Sequence, residues 1–311
     1  MFPAKDDTAG KGYMGKKDSI GKLFFADEGR FAELFNTALY NGKKVIRPEN
    51  LVLAGRDYPG LPGTGGKQRD ILMKDREQNI CYGLELETES DWSMPERVLV
   101  YDVCEWEMQI REIIKSREKR EEEKRTYRER KSRMGEGDFL LPVITAVLYL
   151  GSGRWEGRNR LSELFRIPGI LREQMGTRLP DYRFILVEAD YVKAEDYRTE
   201  LREFFQAMQC RKDKEKLRRL CRTERFRRLD RETELAIALH LDRRYLVRKI
   251  EKEGLHMCQA LDEWMADERA EGKKEERMII IRCMLQEGMD KELIRKVTKC
   301  SGKELSMAAE Q

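Results

Sequence analysis

The stretch Arg69-Asp70-Ile71-Leu72-Met73-Lys74-Asp75-Arg76-Glu77-Gln78-Asn79-Ile80-Cys81-Tyr82-Gly83-Leu84-Glu85-Leu86-Glu87 decides the fold. Its first part is a short apolar run, and residues 75–79 are rich in turn-forming side chains. Residues 80–87 begin apolar and end in strict alternation, the signature of a strand with one buried face. Together they read as a strand hairpin with Asp70 on one arm and Glu85 on the other, fifteen positions apart.

Upstream, Phe31, Leu34, Phe35, Ala38 and Leu39 recur at helical spacing, which predicts a helix over residues 27–40 stopped by Asn41-Gly42. Residues 1–22 are Gly- and Lys-rich and read as a flexible segment, and residues 58–66 as a Pro/Gly loop. Downstream, Met94-Pro95 opens a long helix, with proline near the first turn where its missing N–H costs nothing. That helix passes Val98, Tyr101, Trp106 and Ile110 into a charged insertion, residues 111–135. Residues 141–149 read as a strong strand and 182–187 as another, and from residue 194 the pattern is helical. Strands concentrated in the first 190 or so residues, alternating with helices, give an α/β class. The expected division is a core over 23–192, a basic helical region over 193–260 and a helical tail over 261–311.

Neighbouring strands would bring Asp70 and Glu85 together. Two carboxylates at one point repel each other and raise a pKa unless a cation lies between them. Mg²⁺ suits such a site, because it takes one or two carboxylates together with waters and a phosphate oxygen. An ion held this way activates water and offsets charge on a scissile phosphate. The alternation puts Leu84 and Leu86 on one face and Glu85, Glu87 and Glu89 on the other. The plainer reading of those acids is a solvent-facing edge strand.

The chain resembles the PD-(D/E)xK nuclease family transposases, the recombination-promoting nuclease group. The resemblance is carried by residues 30–36 (Arg-Phe-Ala-Glu-Leu-Phe-Asn), by Arg69-Asp70-Ile71-Leu72 and by Gly83-Leu84-Glu85-Leu86-Glu87. Met94-Pro95-Glu96-Arg97, Tyr101-Asp102, the run from Leu141 to Tyr149, residues 212–217 and residues 230–233 follow in order. It spans about residues 23 to 300. The resemblance implies a restriction-endonuclease-like core, a mixed four-stranded sheet flanked by helices, with the active site on a central hairpin. It implies that Asp70 and Glu85 hold Mg²⁺ or another divalent cation, with the Leu86 backbone carbonyl as a further ligand. Glu33 stands where the family carries an acid and would be another ligand, and Gln109 stands where many such nucleases keep a glutamine. The last motif position, lysine in the general pattern and commonly glutamine in this group, is Glu87 here. A carboxylate supplies no positive charge. Lys74, four residues after Asp70 on the same strand face, is a candidate substitute, and its plainer reading is a solvated strand-end lysine. If Glu87 is a degenerate lysine position, Glu87→Lys or Glu87→Gln raises cleavage and Asp70→Ala abolishes it.

Charge is unevenly spread. The net charge is only +4, with 39% charged residues against about a quarter in typical chains. Residues 111–133 hold eleven Lys/Arg against six Glu, and residues 211–231 hold eleven against four acids. The second segment is the better candidate for sequence-independent contact with double-stranded DNA, through Arg218, Arg219, Arg222, Arg225, Arg227 and Arg228. Tyr127 and Phe226 interleave the two basic runs. The tail reads as an amphipathic helix over 274–286, a cap at Gly288 and a helix over 291–297 started by Asp290. This suits either a packed tail or a surface for DNA or homo-oligomer formation. His256 and Trp264 read as ordinary packing.

Seven cysteines with no C-x-x-C pair fit neither a disulfide framework nor a zinc site, and a count of two histidines argues against a histidine-rich metal site or a histidine-based triad. No apolar run approaches the ~18 residues of a membrane span. The expectation is a cytoplasmic protein with free thiols and no membrane partner. The functional expectation is an Mg²⁺-dependent DNA endonuclease linked to recombination or mobile DNA. The alternative is a catalytically weakened relative that binds DNA or a protein. A helical adaptor fits the second half of the chain but leaves the acidic hairpin unexplained.

Overall fold

A computed structural model describes residues 18–55, 57–58, 67–118 and 132–309. Most of the charged insertion, with Tyr127, and most of the Pro/Gly loop lie outside the described residues.

Residues 1–17 of the segment expected to be flexible lie outside the described residues, and its remaining residues, 18–22, are helical, part of helix α1 over residues 18–25. The reason is packing: Phe24 and Phe25 are fully buried and anchor α1 to the core. Helix α2, Glu28–Tyr40, starts where the Asp27 side chain accepts a hydrogen bond from Arg30 N and stops at Asn41 in the left-handed conformation. It buries Phe31, Leu34 and Phe35. Buried Asn36 secures the returning chain, accepting from Val45 N and Ile46 N and donating to Ile46 O.

Strands β1 (Leu51–Leu53), β4 (Ile71–Asp75), β5 (Ile80–Glu87), β6 (Val143–Tyr149) and β7 (Ile185–Glu188) form one sheet in the order β1-β4-β5-β6-β7. A small pair, β2 (Asp57–Tyr58) and β3 (Lys67–Gln68), stands apart. β4 runs antiparallel to both of its neighbours, β1 and β5, and β5, β6 and β7 run parallel. The sheet therefore has five strands where four were expected. The extra strand, β1, is three residues long behind a Pro48–Asn50 3₁₀ turn, too short to show alternation. The β4–β5 turn forms where residues 75–79 predict it. Asp75 Oδ1 accepts from Glu77 N and Gln78 N, and Asn79 takes a positive φ of 57°.

Helix α3, Met94–Glu118, connects β5 to parallel β6 and covers one face of the sheet, where Met94 and Val98 meet Val147, Tyr149, Trp155 and Phe184. The other face carries the main core. One cluster joins Phe24, Phe31, Phe35, Tyr82, Leu84 and Leu148 to Phe204, Ile237, Ile250 and Leu261. The sheet and the helices after residue 193 thus share a core. These helices are α5 (Leu201–Gln209), α6 (Lys214–Cys221), α7 (Glu224–Arg227), α8 (Arg231–His240), α9 (Arg244–Glu253) and the start of α10 (Met257–Gln286). A short helix, α4 (Gly169–Met175), precedes β7. The far end of α10 packs with α11 (Lys291–Thr298) and α12 (Gly302–Ala309) around a separate small cluster, Ile281, Ile294, Cys300, Leu305 and Ala308. Gly288 has a positive φ of 73° and Asp290 caps α11, as the sequence predicts.

All seven cysteines are free thiols. Among the described residues, no helix is long and apolar enough to cross a membrane.

Candidate metal centre

Asp70 immediately precedes β4, one residue outside it. The β4–β5 register pairs Ile71 with Leu84. Extended by one residue, it sets Asp70 opposite Glu85, and opposite residues share a face. That face is the one under α3, since β5 turns Tyr82 and Leu84 into the main core and Cys81, Gly83, Glu85 and Glu87 the other way. The two carboxyl groups are laced to each other's strands. Asp70 Oδ2 accepts from Leu86 N at 2.9 Å, and the Glu85 carboxyl accepts from the Asp70 backbone N–H.

Glu85 is only 2% exposed. Burial, with the Asp70 charge adding to it, pushes its pKa up to about 8 against the opposing pull of Arg69 and Arg97. Its Oε1 is buried without a hydrogen bond, and Arg69 Nε stands 3.4 Å away as an ion pair. Leu86 and Glu87 have opposite backbone directions. Glu87 O accepts from Leu150 N on the β6 side, whereas Leu86 N donates to Asp70. In an extended strand N–H and C=O of one residue point to the same side. The Leu86 carbonyl therefore points toward Asp70, where β4 has ended.

Three cations attend this point, and none is on β5. Arg69, wholly buried, reaches from Glu85 to Asp102 on α3. Asp102 also accepts from Thr145 Oγ1 at 3.0 Å and from the Tyr182 hydroxyl. Gly83 leaves the room: a Cβ there would collide with the Arg69 guanidinium and press on Thr145 Oγ1. Arg97, in the first turn of α3, pairs with Glu87 and, at 2.9 Å, with Asp91. Lys22 on α1 lies 2.9 Å from Asp70 Oδ1. The Tyr101 ring lies under Arg69, 5.4 Å from its guanidinium carbon.

Other expected site residues lie elsewhere. The Glu33 carboxylate is taken by Arg198 N, Thr199 N and Thr199 Oγ1 just ahead of α5, where it organises the start of that helix and lines a cavity of about 1060 Å³ with Asn36 and Arg47. It does not join Asp70 and Glu85. Gln109 accepts from Leu141 N at 2.8 Å and faces Cys81, at the far end of β5 from Glu85, where it holds the approach to β6. Lys74 is exposed and pairs in register with Cys81, about 13 Å along β4 from Asp70 at the usual strand rise.

The basic segment is partly neutralised by its own fold. Arg218 bonds Asp262, Arg225 bonds Glu203 and Arg228 bonds Glu224. Arg219, Arg222 and Arg227 are exposed. Phe226 is fully buried in the core, so it does not interleave the basic run as a surface aromatic.

Arg69, Arg97, Asp102, Thr145, Tyr182 and Lys22 were not singled out from the sequence as site residues. Arg69 adjoins the motif aspartate, and Arg97 and Asp102 stood inside matching stretches. Lys22 carried no signal at all. Comparison with protein-family models, with curated proteins and with solved structures gave no match.

Do these residues fit a divalent cation? Among the described residues there is no group of three or more His, Cys, Asp or Glu that could hold one. Mg²⁺ asks for less: one or two carboxylates, with carbonyl, water and phosphate oxygens completing an octahedron. Asp70, Glu85 and the Leu86 carbonyl supply that set. The bare Oε1 of a buried Glu85 is the feature a cation would satisfy.

Proposed function

We propose that the chain is a divalent-cation-dependent DNA endonuclease with a restriction-endonuclease-like core, linked to recombination or mobile DNA as its resemblance to the PD-(D/E)xK nuclease family transposases implies. The observation that carries this reading is the buried Glu85 carboxyl, one oxygen without a hydrogen bond, opposite Asp70 at the start of β4. Asp70, Glu85 and the Leu86 carbonyl would hold Mg²⁺, which when bound supplies Lewis-acid stabilisation of charge on the scissile phosphate. Arg69 and Asp102 fix Glu85 from behind. Arg97 holds Glu87 at the site's edge, so Glu87 is half of an ion pair rather than a bare negative charge.

That pairing refines the expectation for Glu87. Glu87→Gln frees the Arg97 guanidinium and raises nicking of supercoiled plasmid with Mg²⁺. Glu87→Lys sets two cations side by side and raises it less. Asp70→Ala abolishes nicking and weakens binding of Mn²⁺ measured with the metal alone. Plasmid nicking unchanged in Asp70→Ala would end the nuclease reading.

A second reading, a relative that binds DNA without cutting, is favoured by the ion pairs Lys22–Asp70 and Arg97–Glu87, which neutralise the acids with the chain's own side chains. Either reading needs a DNA surface. Arg219, Arg222 and Arg227, exposed on α6 and α7 and between them, are its expected phosphate contacts. Changing all three to Glu should weaken binding of every duplex alike. The slope of log affinity against log salt should fall by about 2–3, at roughly 0.9 for each phosphate that is no longer neutralised. An unchanged slope would mark the segment as a solvated surface.

A further inference from the structure

We propose that Lys22, on the helix before the hairpin, is the lysine of this site and supplies the positive charge that β5 lacks at Glu87. The inference rests on the nuclease reading and adds to it a residue outside every stretch that carries the resemblance.

The geometry is specific. Lys22 Nζ lies 2.9 Å from Asp70 Oδ1 and 2.7 Å from Asp18 Oδ2. Its side chain is 16% exposed, so it is neither solvated at random nor sealed away. The two Asp70 oxygens are thereby divided, Oδ2 on the Leu86 amide and Oδ1 on the ammonium. The helix that carries Lys22 is pinned. Phe24 and Phe25 are buried beyond it, and Gly21 lets it lie close against its neighbours. A Cβ on Gly21 would stand 2.9 Å from His240 Cε1 and 3.7 Å from Leu86 Cδ1. So α1 lies close to the Leu86 side chain, between Glu85 and Glu87 on β5, and brings its lysine to Asp70.

The competing cations are less suited. Arg69 is fully buried between Glu85 and Asp102. Arg97 is shared by Glu87 and Asp91, neither of which belongs to the proposed ligand set of Asp70, Glu85 and the Leu86 carbonyl. Lys74 is about 13 Å away along its strand. Lys22 differs because its inner partner is the metal ligand itself. Were Asp70 to hold a cation, the Lys22 ammonium would lose its place on Oδ1 and keep only Asp18, which is 55% exposed and competes weakly. The ammonium, three donors on a compact charge, would then be able to donate to the attacking water or to a phosphoryl oxygen. Lys22 is thus a catalytic residue by contact with the reacting atoms, and Asp18 a positioning residue.

The test uses the full chain with Lys22→Gln, Lys22→Arg and Asp70→Ala, each checked by thermal unfolding. Two readouts are taken: plasmid nicking at saturating Mg²⁺, and Mn²⁺ binding by calorimetry with the metal alone. Lys22→Gln should cut at least about 100-fold more slowly, the usual loss when a charge-stabilising donor is removed. It should also bind Mn²⁺ several-fold more tightly, because a competing positive charge leaves Asp70. Lys22→Arg should retain part of the cleavage. Parent-like cleavage in Lys22→Gln, or Mn²⁺ affinity that does not rise, overturns the assignment of Lys22. If Asp70→Ala is inert in the same assays while Lys22→Gln cuts like the parent, only that assignment fails. If Asp70→Ala changes neither readout, the nuclease reading fails with it.

Discussion

Arg69→Met is expected to cost about 3–5 kcal/mol of folding stability, the usual loss when one partner of a buried ion pair is removed. Arg69 has no exposed surface, and its guanidinium joins two carboxyl groups that are themselves buried, Glu85 and Asp102. Methionine fills much of the volume but leaves Asp102 with only the Thr145 and Tyr182 hydroxyls, and Glu85 with no counter-charge from behind. Asp102 is then left as a buried charge without its counter-ion, and the cluster must rearrange or admit water. Urea unfolding of parent and variant measures the loss. The double variant Arg69→Met/Asp102→Leu should recover a good part of it, because removing both partners deletes the uncompensated charge. A single-variant loss below about 1 kcal/mol would show that the cluster relaxes freely and that Arg69 does not fix Glu85. Gly83→Ala should act in the same direction through the same group, since its methyl occupies guanidinium space.

That cluster also marks the limit of what the sequence could reveal. The β5 strand, residues 80–87, was legible residue for residue, because alternation is local and one face is uniformly apolar. The α2 limits were legible for the same reason, with Asp27 and Asn41 acting as caps within a few residues of what they cap. The pairing of β4 with β5 followed from a short turn, and with it the placing of Asp70 opposite Glu85. Contacts across long sequence separations had no such signal. Arg69 meets Asp102 across 33 residues, and Asp102 meets Tyr182 across 80. Lys22 meets Asp70 across a long stretch that includes α2 and β1, and nothing local marks where α1 packs. Glu33 and Gln109 show the converse. Each sits on the expected helix, but hydrogen bonds to Thr199 and to Leu141 hold them away from the acids. An acid or an amide at a matching position does not fix which way it turns. β1 escaped notice because three residues carry no period, and the shared core across residue 193 because burial between distant helices leaves no local mark.

The pH dependence of stability should carry the signature of Glu85, and metal should reverse it. Burial is the largest influence on that carboxyl and Asp70 adds to it, raising the pKa from 4.5 to about 8, while Arg69 and Arg97 oppose. Between those two values the folded chain keeps a proton that the unfolded chain has released. Stability from this group is therefore complete below about pH 4.5, falls as pH rises toward 8, and is flat above. The slope is at most about 1.4 kcal/mol per pH unit, so the whole effect is on the order of 5 kcal/mol before relaxation and water entry reduce it. Other groups titrate over the same range, so the measurement is the difference between parent and Glu85→Gln in urea unfolding at pH 5 and pH 8. The amide has no proton to lose, so the variant should gain on the parent by about 2–4 kcal/mol as pH rises across that interval. Saturating Mn²⁺ should lift the parent at pH 8 more than at pH 5, since a cation favours the ionised carboxyl, and should do little for Glu85→Gln. Its binding to the parent should release close to one proton at pH 6 and far less above pH 9. A pH difference that is the same for both chains would mean that Glu85 is already ionised in the folded state, satisfied by Arg69 alone. The buried oxygen would then need no added cation, and the strongest support for a metal centre at this hairpin would be gone.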